Sequence, residues 1–177
     1  VLVANSFVAA AEPPRPIGSS TACVIIVEGE ELYSSNLGDS GFVVVRGGRV
    51  VARSREQTHY FNAPFQLTLP PDGFDGFIGD SPLSAEKLDL RLQRGDVIVL
   101  ATDGLWDNMP EERILEQVAA ITGTNVQEIC NSIALTARRL AFDAKHESPF
   151  AKKALLHGIE APGGKPDDIT LVLVLIA

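Results

Sequence analysis

An acidic turn between an apolar run and a helical pattern constrains the fold of this chain more than any other feature. Residues 97–100, all apolar, predict a buried strand, and the pattern after Pro110 predicts an amphipathic helix. Asp103 and Asp107 lie in the short segment between these two elements. Because rigid elements hold such a loop on both sides, its carboxylates can converge on a cation without being buried unpaired. The sequence therefore predicts a cation site here, if other segments supply further ligands.

Composition and charge exclude several classes of protein. The chain has 177 residues, of which 45% are hydrophobic, and this is enough for one folded domain with a substantial core. Its 15 basic and 23 acidic residues give a net charge of −8 without any basic run, so we do not expect a nucleic-acid partner. The apolar runs are far shorter than the roughly 18 residues of a membrane span. We therefore expect no membrane span.

The two cysteines do not suggest a catalytic role. Cys23 and Cys130 lie far apart, and each is part of an apolar pattern, which favours buried, reduced thiols. Positions 29 and 136, six residues further on, hold Gly and Thr rather than Arg. The arrangement typical of cysteine-dependent phosphatases is therefore absent.

The first half of the chain has the pattern of antiparallel strands. Residues 22–27, 32–37, 42–46 and 49–53 predict four strands, and their short connections favour an antiparallel meander. We expect residues 1–20 to be a linker or the end of an upstream helix and 21–177 to be one domain. The stretch 54–90 is rich in Pro and Gly and is predicted to be an irregular loop, which is either functional, for example as a lid, or disordered. Only its end, with residues 88–92, resembles an edge strand.

The second half of the chain predicts helices and a last strand. A helix after Pro110 places Ile114, Leu115, Val118 and Ile121 on one face, and a second helix follows a capping-box spacing of Thr124 and Gln127. A short helix is expected from Pro149 to His157. Residues 169–176 are apolar on both faces, which predicts a strand in the centre of its sheet.

Aspartates recur in three turns at the ends of predicted strands. These turns contain Asp39, then Asp103 and Asp107, and then the pair Asp167-Asp168. One such turn alone is ordinary, because Asp caps nearby backbone N–H groups. Together they supply only oxygen ligands, with no matching set of His or Cys, and this favours Mg²⁺ or Mn²⁺ over zinc. The three histidines are scattered, and we expect surface or packing roles for them: His59, His146 and His157.

The order and context of these turns resemble a known family. Gly38-Asp39-Ser40, the segment ATDGLWD at 101–107 and the segment KPDDIT at 165–170 are similar to motifs of the type 2C (PPM) metal-dependent serine/threonine protein phosphatases. The resemblance extends from about residue 18 to the end. Gly41-Phe42 and residues 57–67 further resemble the organellar subgroup. We therefore expect a mitochondrial protein, with plastid and cytoplasmic locations as the alternatives.

The resemblance implies a fold, a metal centre and a reaction. The fold is α+β: an α-β-β-α sandwich of two antiparallel sheets flanked by helices. Asp103 and Asp167 match aspartates that bind two catalytic Mg²⁺ or Mn²⁺ ions, and Asp39 and Asp107 match those of a weaker third ion. Asp168 stands where most members have Asn, so either residue of the pair could be the ligand, and we favour Asp167. The implied reaction is hydrolysis of phosphoserine and phosphothreonine in phosphorylated proteins by a metal-bridging water.

One part of the family pattern is not found in its usual place. Members carry an Asp-Gly-x-x-Gly motif in an N-terminal strand pair and an upstream Arg that grips phosphate. Here Asp72-Gly73 and Asp75-Gly76 lie in the stretch 54–90, out of order, and are not assigned that role. We expect the chain to begin inside the domain, without its first strands, so that its catalytic centre is incomplete.

Two alternatives to an enzyme remain. The first is a non-catalytic phosphatase-like module that binds phosphoproteins or a regulator. The second is a β-rich interaction domain whose acidic turns are only turns. The presence of all four matched aspartates disfavours the second.

Overall fold

The computed structural model describes residues 17–177. These residues divide into two compact units. The first unit contains residues 17–40 and 54–90, and the second contains residues 41–53 and 91–177. The linker predicted for residues 1–20 lies mostly outside the described residues. Its last three residues, 18–20, form a strand, so this part of the prediction is wrong.

The first part of the chain forms mostly strands, and the part after β10 forms mostly helices. The strands are β1 (Gly18–Ser20), β2 (Ala22–Glu28), β3 (Glu31–Leu37), β4 (Gly41–Arg46), β5 (Arg49–Arg53), β6 (Thr58–Tyr60), β7 (Ala63–Pro64), β8 (Leu67–Leu69), β9 (Glu86–Arg91), β10 (Val97–Ala101) and β11 (Leu171–Leu175). The helices are α1 (Asp103–Trp106), α2 (Glu111–Val118), α3 (Val126–Ala141) and α4 (Pro149–Leu156), with a 3₁₀ turn at Pro82–Ser84.

The second unit is built on an antiparallel sheet with the order β11-β10-β4-β5. Strands β4 and β10 lie in its centre, and nearly all their side chains are buried, as the apolar runs in both segments require. Helices α2 and α3 cover one side of the core with Ile114, Val118 and Ile133. Ile114 and Val118 are core positions that the helical period predicted, and the burial of these apolar faces is the main stabilising contribution.

The first unit contains a sheet with the order β2-β3-β9 and two short strand pairs, β1 with β8 and β6 with β7. The predicted edge strand at residues 88–92 is β9, which indeed lies at the edge of its sheet. The rest of the stretch 54–90 is not irregular as predicted, because it contributes three further strands and a 3₁₀ turn. Together, the antiparallel sheets and helices of the two units confirm the α+β fold class.

The predicted four-strand meander is wrong. Strands β2 and β3 form one hairpin and β4 and β5 form another, but the two hairpins belong to different sheets. The reason is that β4 pairs with β10 over five residues on the side that β3 would have needed. Gly38 ends β3 with a φ of +103°, a conformation that favours glycine, and a Cβ there would lie 2.6 Å from the Phe65 carbonyl oxygen.

The last strand is at an edge of its sheet, not in the centre as predicted. Within the described residues β11 pairs only with β10. Leu171, Leu173 and Leu175 pack against the core, whereas Val172 and Val174 are 45% and 39% exposed. The apolar residues on the second face of this strand are therefore partly exposed, which is common because surface positions are often apolar.

Helix boundaries follow the sequence closely, but one predicted cap is wrong. The N-cap residue of helix α3 is Asn125 rather than Thr124, and the Asn125 side chain does not cap the helix but bonds to the segment before it. The Asn125 Oδ1 accepts the Thr122 N–H at 2.8 Å, and its Nδ2 donates to the Ala120 carbonyl at 2.9 Å. Helix α4 begins as predicted, after Ser148, whose hydroxyl accepts the Ala151 N–H at 3.0 Å.

A buried ion pair ties the two central strands of the second unit together. Asp96, which is 0% exposed, accepts two hydrogen bonds from the Arg46 guanidinium at 2.8 and 2.7 Å. It also accepts the Gln93 N–H at 2.8 Å. The hydrogen bonds from Arg46 hold the pKa of Asp96 below its ordinary value, although burial opposes them. This paired carboxylate fixes the turn that leads into β10.

Replacing Asp96 by Asn should therefore destabilise the protein at neutral pH. We expect Asp96→Asn to lower the free energy of unfolding by about 2–3 kcal/mol, because it leaves Arg46 without its anion. The depressed pKa means that the unfolded chain binds the extra proton more readily than the folded one. The advantage of wild type over the variant should therefore shrink as pH falls below about 4.

Urea denaturation at a series of pH values measures both effects. Asp89→Asn, at an exposed position of β9, is the matched control and should change stability by less than about 0.5 kcal/mol. A difference between wild type and Asp96→Asn that stays constant from pH 7 to pH 2 would contradict the ion-pair account.

Candidate metal centre

The acidic turn after β10 is a short helix, not the predicted loop. Asp103 is the first residue of α1, and Asp107 follows its last residue. Two side chains anchor this turn: Leu105 is fully buried, and the Trp106 Nε1 donates to the Ala101 carbonyl at 3.0 Å. Asp103 and Asp107, four residues apart, thus lie on neighbouring turns of the same backbone.

The segment before β11 runs along this turn in close backbone contact. The Thr102 N–H donates to the Thr170 carbonyl at 3.1 Å, and the Thr170 N–H donates to the Thr102 hydroxyl at 3.0 Å. A Cβ at position 104 would lie 2.3 Å from the Asp168 carbonyl oxygen, so only glycine permits this approach. The antiparallel register of β10 and β11, in which Ala101 pairs with Leu171, thus brings two distant acidic segments together.

Asn108 joins the two segments at their buried side. Its side chain is fully buried, and it both accepts from the Lys165 N–H at 2.7 Å and donates to the Lys165 carbonyl at 2.8 Å. The same amide donates to the Gly104 carbonyl at 3.0 Å. His146 contacts the Asn108 carbonyl through its Nε2 at 2.7 Å. This network fixes the backbone from which Lys165 extends.

The ammonium of Lys165 lies among three carboxylates. Its Nζ is 2.9 Å from Asp103 Oδ2, 2.8 Å from Asp107 Oδ2 and 3.6 Å from Asp167 Oδ2. The Lys165 side chain is 19% exposed, and its ammonium lies 5.1 Å from the centre of the Phe150 ring. Three acidic groups from two segments therefore converge on one positive charge.

Burial and ion pairing act against each other in this cluster. Burial raises the pKa of Asp107 above its ordinary value, although the hydrogen bond from Lys165 opposes this. Burial by itself would lower the pKa of Lys165, but hydrogen bonds to Asp107 and Asp103 outweigh burial, so that its pKa is raised above the ordinary value. Lys153 of α4 adds a second positive charge, with its Nζ 4.0 Å from Asp107 Oδ1. The carboxylates are thus compensated by lysines at neutral pH.

Three of the four predicted metal ligands are in this cluster. Asp103, Asp107 and Asp167 are brought together through Lys165, whereas Asp39 lies in the turn after β3, in the other unit. Asp168 is exposed, and its backbone N–H donates to Asp167 Oδ1 at 2.8 Å. The assignment of the ligands stays a prediction.

The sequence analysis missed Lys165 and Asn108. Both lie beside predicted ligands: Lys165 is two residues before Asp167, and Asn108 directly follows Asp107. A lysine next to an acidic pair carries no pattern that distinguishes an ion-pair partner from a surface residue. Only the fold places it against a segment about sixty residues away in the chain.

The donor set fits a hard divalent cation in its chemistry. Carboxylate oxygens are the ligands that Mg²⁺ and Mn²⁺ prefer, and these three already surround a cationic group. Within residues 17–177, no three His, Cys, Asp or Glu side chains are arranged to hold a metal ion without rearrangement. The three carboxylates therefore suit such an ion, provided that the Lys165 ammonium moves away from them.

The other candidate groups named above, His59 and the two cysteines, show no sign of a catalytic role in the described residues. His59 stacks on Phe65 and contacts Asp80 Oδ2 at 2.9 Å, as expected for a packing residue. Cys23 and Cys130 are free thiols, and both are half-buried. Burial raises the pKa of Cys23 to about 11, so this thiol is protonated at neutral pH and is a poor nucleophile. No described helix is long and apolar enough to cross a membrane.

Solved structures of phosphatases share this fold. The X-ray structure of the photosystem II phosphatase PBCP has a TM-score of 0.85 and 28% identity, and the match covers 99% of this chain and 69% of that one. The catalytic domain of the serine threonine protein phosphatase PstP, in complex with two manganese ions, has a TM-score of 0.62 and 19% identity over 99% of this chain and 66% of that one. Fold and acidic centre together define the class of the type 2C phosphatases.

Sequence relatives identify the family. The protein phosphatase PTC7 homolog of Homo sapiens is 47% identical over 167 residues, which are 91% of this chain and 55% of that protein. The PTC7 homolog fig of Drosophila persimilis is 46% identical over 173 residues, or 92% of this chain and 53% of that protein. The chain spans about half the length of these curated relatives, and no family model matches it. The chain belongs to the type 2C (PPM) family of metal-dependent protein phosphatases.

The buried Asn108 side chain clamps the two acidic segments together through its hydrogen bonds, and an isosteric change tests this clamp. Asn108→Asp would place a carboxylate against the Gly104 and Lys165 carbonyls, which need a donor. We expect a loss of about 2–4 kcal/mol in the free energy of unfolding, since a buried charge would then face acceptors. Asn131→Asp, at an exposed position of α3, is the control and should change stability by less than about 0.5 kcal/mol. Equal urea midpoints for the two variants would rule out the clamp.

Proposed function

We propose that the full-length protein is a serine/threonine protein phosphatase that depends on Mg²⁺ or Mn²⁺. The observation that carries this proposal is the convergence of Asp103, Asp107 and Asp167 on the ammonium of Lys165, in a chain of the type 2C family. The substrates would be proteins phosphorylated on serine or threonine.

The acidic residues would divide the work of holding metal ions. Asp103 and Asp167 would hold two catalytic ions, Asp107 would contribute to a weaker third, and Asp39 is a further predicted ligand of that third ion. Divalent ions of this kind lower the pKa of a water and neutralise the oxygens of a phosphoryl group. Gly104 and Asn108 would keep the two acidic segments at a fixed spacing through the contacts described above.

Asp167 is the better candidate of the pair at 167 and 168. Its Oδ2 lies on the cationic side of the cluster, 3.6 Å from Lys165 Nζ, while its Oδ1 accepts the Asp168 N–H. The Asp168 backbone carbonyl accepts from the Thr102 hydroxyl at 3.2 Å. We therefore expect Asp168 to contribute through its backbone carbonyl and not through its side chain.

The alternative function is a non-catalytic phosphatase-like module that binds phosphoproteins or a regulator. It would retain the fold and bind its partner without turnover. Three carboxylates held close together repel one another and need a counter-ion, so the cluster is costly for the fold. A module that only binds a partner has no need of such a cluster. The intact cluster therefore favours the enzyme.

The protein would act in an organelle. The resemblance of residues 41–42 and 57–67 to the organellar subgroup supports a mitochondrial location, with plastid and cytoplasm as the alternatives. Fluorescence microscopy of the full-length protein carrying a C-terminal tag should show overlap with a mitochondrial marker, and a diffuse cytoplasmic signal would contradict the proposal.

Turnover of p-nitrophenyl phosphate and of a phosphothreonine peptide tests the catalytic role. We expect the full-length protein to hydrolyse both with Mn²⁺ or Mg²⁺ and to lose activity with excess EDTA. Asp103→Asn and Asp167→Asn should each lower kcat at least about a hundredfold, since each removes a charged ligand of an ion that stabilises the transition state. Asp168→Asn should keep most of the activity.

The control is Asp75→Asn, which changes an exposed aspartate in the irregular stretch between β8 and β9. It should behave as wild type does. Retention of most activity by Asp167→Asn together with its loss in Asp168→Asn would reverse the assignment of the pair. Phosphopeptide binding without turnover by a folded wild-type protein at saturating Mn²⁺ would favour the non-catalytic module.

A further inference from the structure

Lys165 occupies the position around which the three carboxylates are arranged. Its Nζ lies within 2.9 Å of both Asp103 and Asp107 and 3.6 Å from Asp167. A divalent ion contacts carboxylate oxygens at about 2.1 Å, closer than an ammonium does, and would need the same oxygens. The ammonium and a metal ion therefore cannot both be held at this position.

The backbone of Lys165 is fixed, but its ammonium can leave. The two hydrogen bonds to Asn108 hold the peptide unit, as described above, whereas the flexible four-carbon stem carries the charge. The side chain is partly exposed, and the Phe150 ring lies beside the ammonium. We therefore expect rotation of this stem to be enough to move the charge towards solvent.

Without a cation, the cluster would oppose the fold. Three carboxylates would then lie close together, with the Lys153 Nζ 4.0 Å from Asp107 Oδ1. Carboxylates that share one ammonium repel each other once it is removed, and the repulsion is stronger where the groups are shielded from water. A cation at this position, either the ammonium or a metal ion, therefore stabilises the ionised carboxylates.

We propose that Lys165 is a built-in counter-cation of the metal centre: its ammonium holds the three carboxylates together in the metal-free protein and moves out when a divalent ion binds. This inference rests on the proposed metal-dependent function. It has two consequences. Lys165 stabilises the metal-free protein, and by the same amount it lowers the affinity for the metal, because binding must displace it.

Chemical labelling of lysines in the full-length wild-type protein tests the displacement. An amine-reactive acetylating reagent is applied with and without saturating Mn²⁺, and the labelled peptides are quantified by mass spectrometry. Labelling of Lys165 should rise several-fold with Mn²⁺, while the exposed Lys152 of α4 serves as the internal control and should not change. Equal labelling of Lys165 in both states, with Mn²⁺ bound, would overturn the proposal.

Variants test the competition by a second route. In Lys165→Met, which keeps the length of the side chain but removes the charge, Mn²⁺ should bind about tenfold more tightly by calorimetry. The Tm of the metal-free variant should fall by about 2–4 °C or more, and Mn²⁺ should restore it. Lys152→Met is the matched control and should behave as wild type does. Mn²⁺ binding to Lys165→Met that is no tighter than to wild type would contradict the proposal.

The outcomes separate this inference from the proposed function. If neither wild type nor Lys165→Met binds Mn²⁺, the metal-dependent function itself fails, and the inference with it. If wild type binds Mn²⁺ and Lys165→Met does not bind more tightly, only the inference fails. A metal-free Lys165→Met that is unfolded but folds with Mn²⁺ would support the inference, and one that stays unfolded at Mn²⁺ concentrations that saturate wild type would count against it.

Discussion

The contact between the turn after β10 and the segment before β11 is the constraint on which the rest of the site depends. It is a backbone contact: Thr102 and Thr170 extend the pairing of the two strands, and the missing Cβ of Gly104 allows the Asp168 carbonyl to approach. Asn108 closes the contact on its buried side. Backbone atoms and a buried amide thus set the spacing of the two acidic segments, and this spacing does not depend on contacts between the acidic side chains.

Charge compensation is the second theme of the second unit. The chain carries a net charge of −8, yet the buried carboxylates Asp96 and Asp107 each contact a cationic side chain, Arg46 in one case and Lys165 in the other. The two pairs differ in the form of the cation. The guanidinium of Arg46 makes a two-point contact that holds one geometry, whereas the ammonium of Lys165 is a point charge on a flexible stem. The first arrangement suits a permanent structural pair, and the second suits a charge that can be exchanged.

Much of the secondary structure followed from the sequence because burial and periodicity act locally. The apolar face of α2, the presence of α3, the strand at residues 97–100 and the hairpins β2–β3 and β4–β5 were all expected. The errors concern pairing and position in a sheet. The meander failed because β4 pairs with β10, and β11 was misplaced because an apolar face does not reveal whether another strand covers it. Both are decided by contacts between segments far apart in the chain.

The sequence by itself determined the type of chemistry: three acidic turns without a set of His or Cys point to oxygen ligands, and their order along the chain points to the phosphatase family. Side-chain type and spacing suffice for this, because they fix which atoms are available. Only the tertiary structure decided that Asp103, Asp107 and Asp167 all contact the ammonium of Lys165. Electrostatic contacts depend on distance in space, and the strand register that sets this distance results from pairing across about seventy residues of chain.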